Sequence, residues 1–272
     1  MPTQREQLEI KFGGSLRQIS AKHRRELERL LGRPPDVNNV PAEFWEKVRK
    51  ENEERMAAIM LLIFMRSAST MGRIGGGDRL DSGQTLAQRG EEFATQRSAD
   101  VANRTLQTTI RNLERKTAKW RVKASKGLEI PASEIADAAK SQFGDARIQS
   151  IATTETTNSI TGGTREGAFV RFGRTAIQLW VLGPCRHCKF CPMVAGTDID
   201  VWGQFVSGPP AHVNCCCSIR FFASGHFPAG GKSLGARIAG QPKAGFKQFQ
   251  KRNPAPRSAI VQAAKDSGIF GF

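Results

Sequence analysis

The chain has 272 residues, enough for one large domain or two modest ones whose cores need no disulfides. It carries 41 lysines and arginines against 25 aspartates and glutamates, a formal charge of +16, which favours an anionic partner: nucleic acid first, then an acidic protein surface, then a membrane. Residues 201–272 contain nine basic side chains and one acidic side chain, so about half of the net charge lies in the last quarter.

The N-terminal sequence MPTQREQLEI has neither the apolar core nor the small-residue cleavage site of a secretory signal, which predicts a protein that stays in a reducing compartment. The longest apolar run is Met56–Met65, about half of the roughly 20 residues that a transmembrane helix needs. We therefore expect this run to be a buried helix, and we expect no membrane partner.

The first predicted element is a basic, weakly helical arm, residues 1–33, which we expect to be disordered alone. The run Gly32-Arg33-Pro34-Pro35 stops it. A long helix follows from Pro41 to about Met71. The Gly75–Gly77 triplet beyond it lacks the spacing of a phosphate loop, so it is interpreted as a flexible linker.

The next helix is predicted over Glu91–Lys126. Apolar positions recur there at steps of four and three, the period of one helical face: Ala102, Leu106, Ile110, Leu113, Thr117 and Trp120. The opposite face is arginine and lysine; solvation explains such a face, and contact with DNA or a portal is the alternative. Pro131 opens a shorter helix that stops at Gly144.

A further helix is predicted over Arg147–Thr161, with Glu155 on the side that faces the core. Gly162 and Gly163 are expected to loosen its end. Two short strands with alternating or β-favouring residues should follow: Ile177–Val181 and Ser218–Phe222. They enclose every cysteine of the chain.

All six cysteines lie between Cys185 and Cys217, in two groups separated by a long gap. Two turns of the form Cys-x2-Cys and His-x2-Cys, 20 residues apart, can present four ligands to one tetrahedral Zn²⁺. The predicted ligands are Cys188, Cys191, His212 and Cys215. Cys217 is the first substitute, and Cys185 or Cys216 follow it.

Other interpretations of the cysteines remain. Buried free thiols are one, because cysteine also packs as a small apolar residue. Disulfides are disfavoured, because the adjacent Cys215, Cys216 and Cys217 bridge only with strain. Four protein ligands would close the site and make the metal structural, and a thiolate-rich tetrahedron accepts iron as well as zinc.

Together the elements predict an α+β protein: a predominantly helical N-terminal part, a small α/β zinc-stapled domain and a basic, poorly structured tail. Four segments are expected: residues 1–77, a helical arm and long helix; 78–146, a helical region with a basic face; 147–223, the zinc-binding domain; and 224–272, a tail rich in glycine and proline. The tail should contact DNA phosphates without sequence preference. Its candidate contacts are Lys232, Arg237, Lys243, Lys247, Lys251, Arg252 and Arg257.

A series of motifs from Ile151 to Phe222 resembles the C-terminal domain of phage minor head proteins, the Mu F-like head morphogenesis family. The matching residues are Ile151–Thr156 (IATTET), Trp180, Cys188 with Cys191, Gly196, and Pro209–Cys217 (PPAHVNCCC). The resemblance covers about a quarter of the chain. Two departures occur: Pro184 stands where the family often has Asp, and Cys216 where it usually has Arg.

The resemblance implies a structural, non-enzymatic protein of the virion, located in the capsid interior near the portal and in the host cytoplasm during assembly. Its partners would be the portal protein, capsid or scaffold proteins, and double-stranded DNA bound non-specifically. Two alternatives stay open. One is an ADP-ribosyltransferase-like or other toxin-like enzyme that uses Glu155, and the other is a zinc-ribbon DNA-binding regulator that prefers one sequence.

Overall fold

The computed structural model describes residues 3–71, 80, 83–183, 191–203 and 206–223. Over these ranges the chain is mostly helical with one small two-stranded sheet, which confirms the coarse fold class predicted from the sequence. The elements in chain order are α1 (Gln4–Leu30), α2 (Ala42–Ser69), α3 (Leu86–Ser125), α4 (Ala132–Phe143), α5 (Asp145–Phe172), β1 (Ile177–Val181), α6 (Cys191–Val194), α7 (Ile199–Trp202) and β2 (Ser218–Phe222).

The chain divides into two compact units. We call Met1–Ile63 with Gln88–Ala152 the helical unit, and Phe64–Ala87 with Thr153–Phe272 the cysteine unit. The four-segment division expected from the sequence stays a prediction. The predicted Gly75–Gly77 linker and the whole tail from residue 224 lie outside the described residues.

Helix α1 contradicts the expectation of a weakly helical arm. Its first turn is closed by a capping box, in which Thr3 Oγ1 accepts from the backbone N–H of Glu6 and the Glu6 carboxylate accepts from the Thr3 N–H. Apolar side chains at helical spacing, among them Phe12, Leu16 and Leu27, are buried. Tertiary packing of this stripe therefore stabilises a helix whose intrinsic propensity is modest.

The core of the helical unit is built from apolar side chains of α1, α2, α3, α4 and the segment between α1 and α2. Its buried members are Leu27, Leu31, Val37, Val40, Phe44, Val48, Leu113, Trp120, Ile135, Ala138 and Ala139. Two buried donors are also satisfied: the Val37 N–H donates to Thr117 Oγ1 at 3.0 Å, and Trp120 Nε1 donates to Glu134 Oε1 at 2.9 Å. The apolar face predicted for α3 is confirmed at Leu113, Thr117 and Trp120.

One histidine is enclosed by the same unit. His23 is fully buried between the rings of Phe44 and Phe143, and its Nε2 lies 2.9 Å from Glu51 Oε2. Burial lowers the pKa of His23, although the hydrogen bond to Glu51 opposes this shift. The imidazole is therefore held as a neutral ring in the core.

Helix α5 does not loosen after Thr161 but continues to Phe172. A Cβ at Gly163 would lie 2.1 Å from the Phe64 carbonyl oxygen, and one at Gly167 would lie 2.5 Å from that of Ala68. The two glycines are four residues apart, on one side of α5, where α2 crosses in backbone contact. Glycine is required at these two positions because any side chain there would prevent the close approach of α2.

The sheet is a single antiparallel pair, with Ile177 opposite Phe222 and Val181 opposite Ser218, as the two predicted strands require. Trp180 on β1 and Trp202 on α7 are buried with ring centroids 5.8 Å apart, and Trp202 Nε1 donates to the Gln178 carbonyl at 2.8 Å. The tryptophans of strand β1 and helix α7 thus form part of the core against which Cys191, Cys215 and Cys217 pack.

The apolar run Met56–Met65 lies within α2, and Met56, Met60, Ile63 and Phe64 are buried, which confirms a buried helix. Among the described residues, no helix has the length and apolar content that crossing a membrane requires.

Candidate metal centre

Three buried thiols lie together in the cysteine unit. The Sγ atoms of Cys191, Cys215 and Cys217 are all within 4.8 Å of one another. Cys191 is the first residue of α6, and the other two belong to the turn that leads into β2. Three cysteines from two separate segments can hold a metal ion, and thiolate ligands are compatible with zinc.

His212 lies at the edge of this cluster. Its Nε2 is 3.4 Å from Cys191 Sγ, and its Nδ1 is 2.8 Å from the Val213 carbonyl oxygen. A carbonyl only accepts, so Nδ1 carries the hydrogen and Nε2 presents its lone pair towards the thiols. Metal-bound histidines are oriented in this way, by a hydrogen bond from the ring nitrogen that does not bind the metal.

Two of the distances between donor atoms match those expected around a tetrahedral ion. With Zn–S bonds of roughly 2.3 Å and Zn–N bonds of roughly 2.0 Å, two sulfurs should be about 3.8 Å apart and a sulfur and a nitrogen about 3.5 Å apart. The observed distances are 3.9 Å between the Sγ atoms of Cys191 and Cys215 and 3.4 Å between Cys191 Sγ and His212 Nε2.

The thiols share charge unequally. The hydrogen bond from Cys191 is the chief cause that lowers the pKa of Cys215 far below that of a free thiol. At Cys217 the hydrogen bond from Cys191 also lowers the pKa, but the bond to Cys215, burial and the Cys215 charge together raise it to about 11. The pKa of Cys215 is thus held low and that of Cys217 high, and a bound cation would favour the thiolate form of both.

Helix α5 holds the turn that carries two of the thiols. Thr157 Oγ1 donates to the Cys215 carbonyl at 2.7 Å, and the Asn214 N–H donates to Thr154 Oγ1 at 3.0 Å. Asn214 has φ +62°, a left-handed conformation that asparagine adopts more readily than most residues. The sequence did not single out these threonines as supports, although both lie in the Ile151–Thr156 motif or directly after it.

The exit of β1 meets the same turn in backbone contact. A Cβ at Gly183 would lie 1.9 Å from the Cys216 carbonyl oxygen, so only glycine fits there. At the other edge of β1, the Trp180 N–H donates to the Thr197 carbonyl at 2.9 Å. The cysteine turn is therefore fixed by a helix on one side and by a strand on the other.

Of the predicted ligands, the structure brings together Cys191, His212 and Cys215, and it adds Cys217, the first substitute. Cys188 and Cys185 lie outside the described residues, and so do all seven candidate DNA contacts of the tail. Cys191, Cys215 and Cys217 are free thiols, whereas Cys216 is disulfide-bonded. Disulfides were disfavoured from the sequence, and Cys216 departs from that prediction.

Glu155 is buried on α5, as its position on the helical face predicts, with 4% of its surface exposed. Its Oε2 accepts from Asn158 Nδ2 at 2.9 Å. The two nearest arginines along this helix have other partners. Arg147 donates to Thr105, Thr109 and Gln142, and Arg165 donates to the Ser207 carbonyl.

Buried thiols, an oriented imidazole and a turn held by its neighbours define the site as a compact cysteine-rich centre. Comparison of the chain with protein-family models, with curated proteins and with solved structures found no match. The resemblance to phage minor head proteins therefore stays a hypothesis.

Proposed function

We propose that this protein is a structural minor head component of the Mu F-like kind, with its cysteine unit stabilised by one zinc ion. The observation that carries the proposal is the meeting of the motifs behind the resemblance. Thr154 and Thr157, at the helix motif, hydrogen-bond the turn that carries Asn214 and Cys215, some 60 residues away in sequence. Motifs that only follow one another in sequence need not share a site.

Zinc fits the donor set. Cys191, Cys215 and Cys217 supply three thiols within 4.8 Å of one another, and His212, whose Nε2 lies 3.4 Å from Cys191 Sγ, would complete a tetrahedron without water. Cys188, the other predicted ligand, could bind the zinc in place of one of these four residues. A site with four protein ligands has no open position for substrate, so the zinc would stabilise the fold and take no part in a reaction.

In this proposal the helical unit docks on portal, capsid or scaffold proteins, and the basic tail contacts packaged DNA through its phosphates. The protein is then a non-enzymatic virion component located inside the capsid near the portal, and it passes through the host cytoplasm during assembly. The charge of +16, of which half lies after residue 200, supports the DNA contact.

Metal content of the purified protein, measured by elemental mass spectrometry, tests the centre. About one zinc per chain is expected, and Cys191→Ser with His212→Ala should abolish it. Cys188→Ser and Cys217→Ser, compared with each other, identify the fourth ligand, because only substitution of a true ligand lowers the zinc content. A well-folded wild-type protein without metal would remove the zinc from this proposal.

Assembly tests the head function itself. We expect the chain to co-sediment with portal rings when it is co-expressed with the portal protein of a phage of this family. A chain that never enters the ring fraction, although it binds zinc and folds, would contradict the head function and leave the metal centre intact.

The enzyme alternative depends on Glu155, whose burial denies its carboxylate the access that a substrate needs. Glu155→Gln is therefore expected to change stability rather than any activity. The regulator alternative predicts preference for one DNA sequence. A head protein should bind all duplexes alike.

A further inference from the structure

One face of α3 carries basic side chains that form no ion pair within the part of the chain that the structure describes. Arg111, Arg115 and Lys119 are exposed, and none of them forms an ion pair with any residue that the structure describes. At 100° per residue, the three lie within roughly 80° of one another, on the side of the helix opposite the buried Leu113. We call these three residues the α3 stripe.

Other basic side chains of the same helix are neutralised. Arg104 pairs with Asp100, Arg121 with Asp36, and Lys123 with Glu134. The α3 stripe lacks such partners, and Lys116 and Lys126, which are also exposed, add to the charge around it. Glu114 is the single acidic residue of Arg111–Lys126.

A purely solvated face would need no such segregation of charge, since mixed signs along a helix give better i,i+4 pairing. In α2 the pairing is present: Arg49 bonds both Glu46 and Glu53. The free energy of like-charge repulsion along the α3 stripe is thus not relieved within the described chain, and an anionic partner would relieve it.

We infer that the α3 stripe binds the phosphate backbone of double-stranded nucleic acid without reading its sequence. The stripe extends for about 12 Å from Arg111 to Lys119 along a rigid helix, a length over which a duplex presents several phosphates. Arginine is well suited to phosphate, because its planar fork donates two parallel hydrogen bonds. The stripe therefore supplies a second set of phosphate contacts, separate from the tail.

An acidic protein surface is the less suitable occupant. Protein interfaces are centred on buried aromatic or aliphatic anchors, whereas the large apolar side chain on this face of α3 is Val122, which is 55% exposed. Phosphate contacts need cations and no apolar anchor. The inference rests on the proposed function in one respect: it takes packaged DNA as the double-stranded nucleic acid that the α3 stripe binds in the virion.

Binding of the full chain to random-sequence duplex DNA, measured across a salt series, tests the stripe. The test variant is Arg111→Gln, Arg115→Gln, Lys119→Gln. The matched control is Arg25→Gln, Lys50→Gln, Arg55→Gln, which removes the same charge from three exposed residues that each adjoin a glutamate in sequence. Circular dichroism confirms that both variants keep their helices.

Loss of three phosphate contacts should lower the slope of log K against log salt by roughly 2.7 and weaken binding at least about tenfold. The control should change the slope by less than about 1. Arg111→Lys with Arg115→Lys keeps the charge and should keep most of the slope. These results together support the stripe.

Three results would overturn the inference. If the test variant binds like the control, the DNA contact belongs to the tail and the proposed function survives. If the wild-type chain binds no duplex, both the inference and the proposed DNA contact fail. If the stripe variant loses binding to poly-glutamate but not to duplex DNA, the partner is an acidic protein.

Discussion

The two compact units of this protein are stabilised in different ways. The helical unit buries leucine, valine, phenylalanine and tryptophan side chains from four long helices. The core of the cysteine unit contains fewer large aliphatic side chains and relies on alanines, two tryptophans and the thiols of Cys191, Cys215 and Cys217. A small core of this composition is marginal by itself, and the zinc ion proposed above would add stability that apolar burial does not supply.

Metal removal should separate the units most clearly. Treatment with a strong chelator is expected to expose the cysteine unit while the helical unit stays folded, because structural zinc contributes on the order of 10 kcal/mol to small thiolate sites. Hydrogen exchange should rise over residues 153–183 and 206–223 and stay low over 3–63 and 88–125. Added zinc should restore protection. Equal exchange in both units would refute this division.

Leu113→Ala tests the helical unit alone. Leu113 is fully buried, so the truncation should cost about 3 kcal/mol of its unfolding free energy through lost burial and a residual cavity. Val122→Ala on the exposed face of the same helix is the control and should change stability by less than about 0.5 kcal/mol. Denaturant unfolding measures both. Zinc content should not change, and its loss would mean that the units do not respond separately.

Gly163→Ala and Gly14→Ala should act in opposite directions. A Cβ at Gly163 meets the Phe64 carbonyl at 2.1 Å, so the helices must separate at a cost of about 2 kcal/mol. A Cβ at Gly14 would have no other atom within 4 Å, so alanine there should stabilise α1 by about 0.5 kcal/mol or more. Thermal unfolding of the two variants decides this. Stabilisation by Gly163→Ala would contradict the close crossing.

The smallest effect concerns pH. Burial lowers the pKa of His23, so the unfolded chain binds a proton more readily than the folded one. The stability contributed by neutral His23 is full above the ordinary pKa of 6.5 and is lost as pH falls towards the lowered value. Glu51, Lys22 and Lys47 face the ring and also act on its pKa.

Between about pH 7 and pH 5 the helical unit should therefore lose stability in the wild type and lose less in His23→Gln. Urea unfolding at the two pH values, with hydrogen exchange in α1 and α2 as the readout, measures this loss of stability. Identical pH dependence in the two proteins would show that His23 titrates normally.

Several elements were predictable because local pattern and tertiary environment agree. The long helix after Pro41, the helix from Pro131 to Gly144 and both strands appear with bounds close to those expected. The burial of Glu155 followed from helical spacing alone. For both helices a glycine or proline marked an end.

Other features were wrong where a partner element changes the local preference. The basic composition of α1 predicted weak order, but the buried apolar side chains on one face of the helix stabilise it. Glycines at 162 and 163 predicted a frayed end, whereas the approach of α2 makes a missing side chain favourable in α5. Propensity cannot contain that information, because it describes a residue without its neighbours.

The sequence by itself determined the type of centre, because clustered cysteines and a histidine have few chemical uses, and it determined the excess of positive charge. Only the tertiary structure decided which described thiols meet and that Thr154 and Thr157 hold their turn. It also decided which basic side chains of α3 have an acidic partner among the described residues. Ligand types are properties of residues, whereas distances and charge pairing depend on segments far apart in the chain, which only folding brings together.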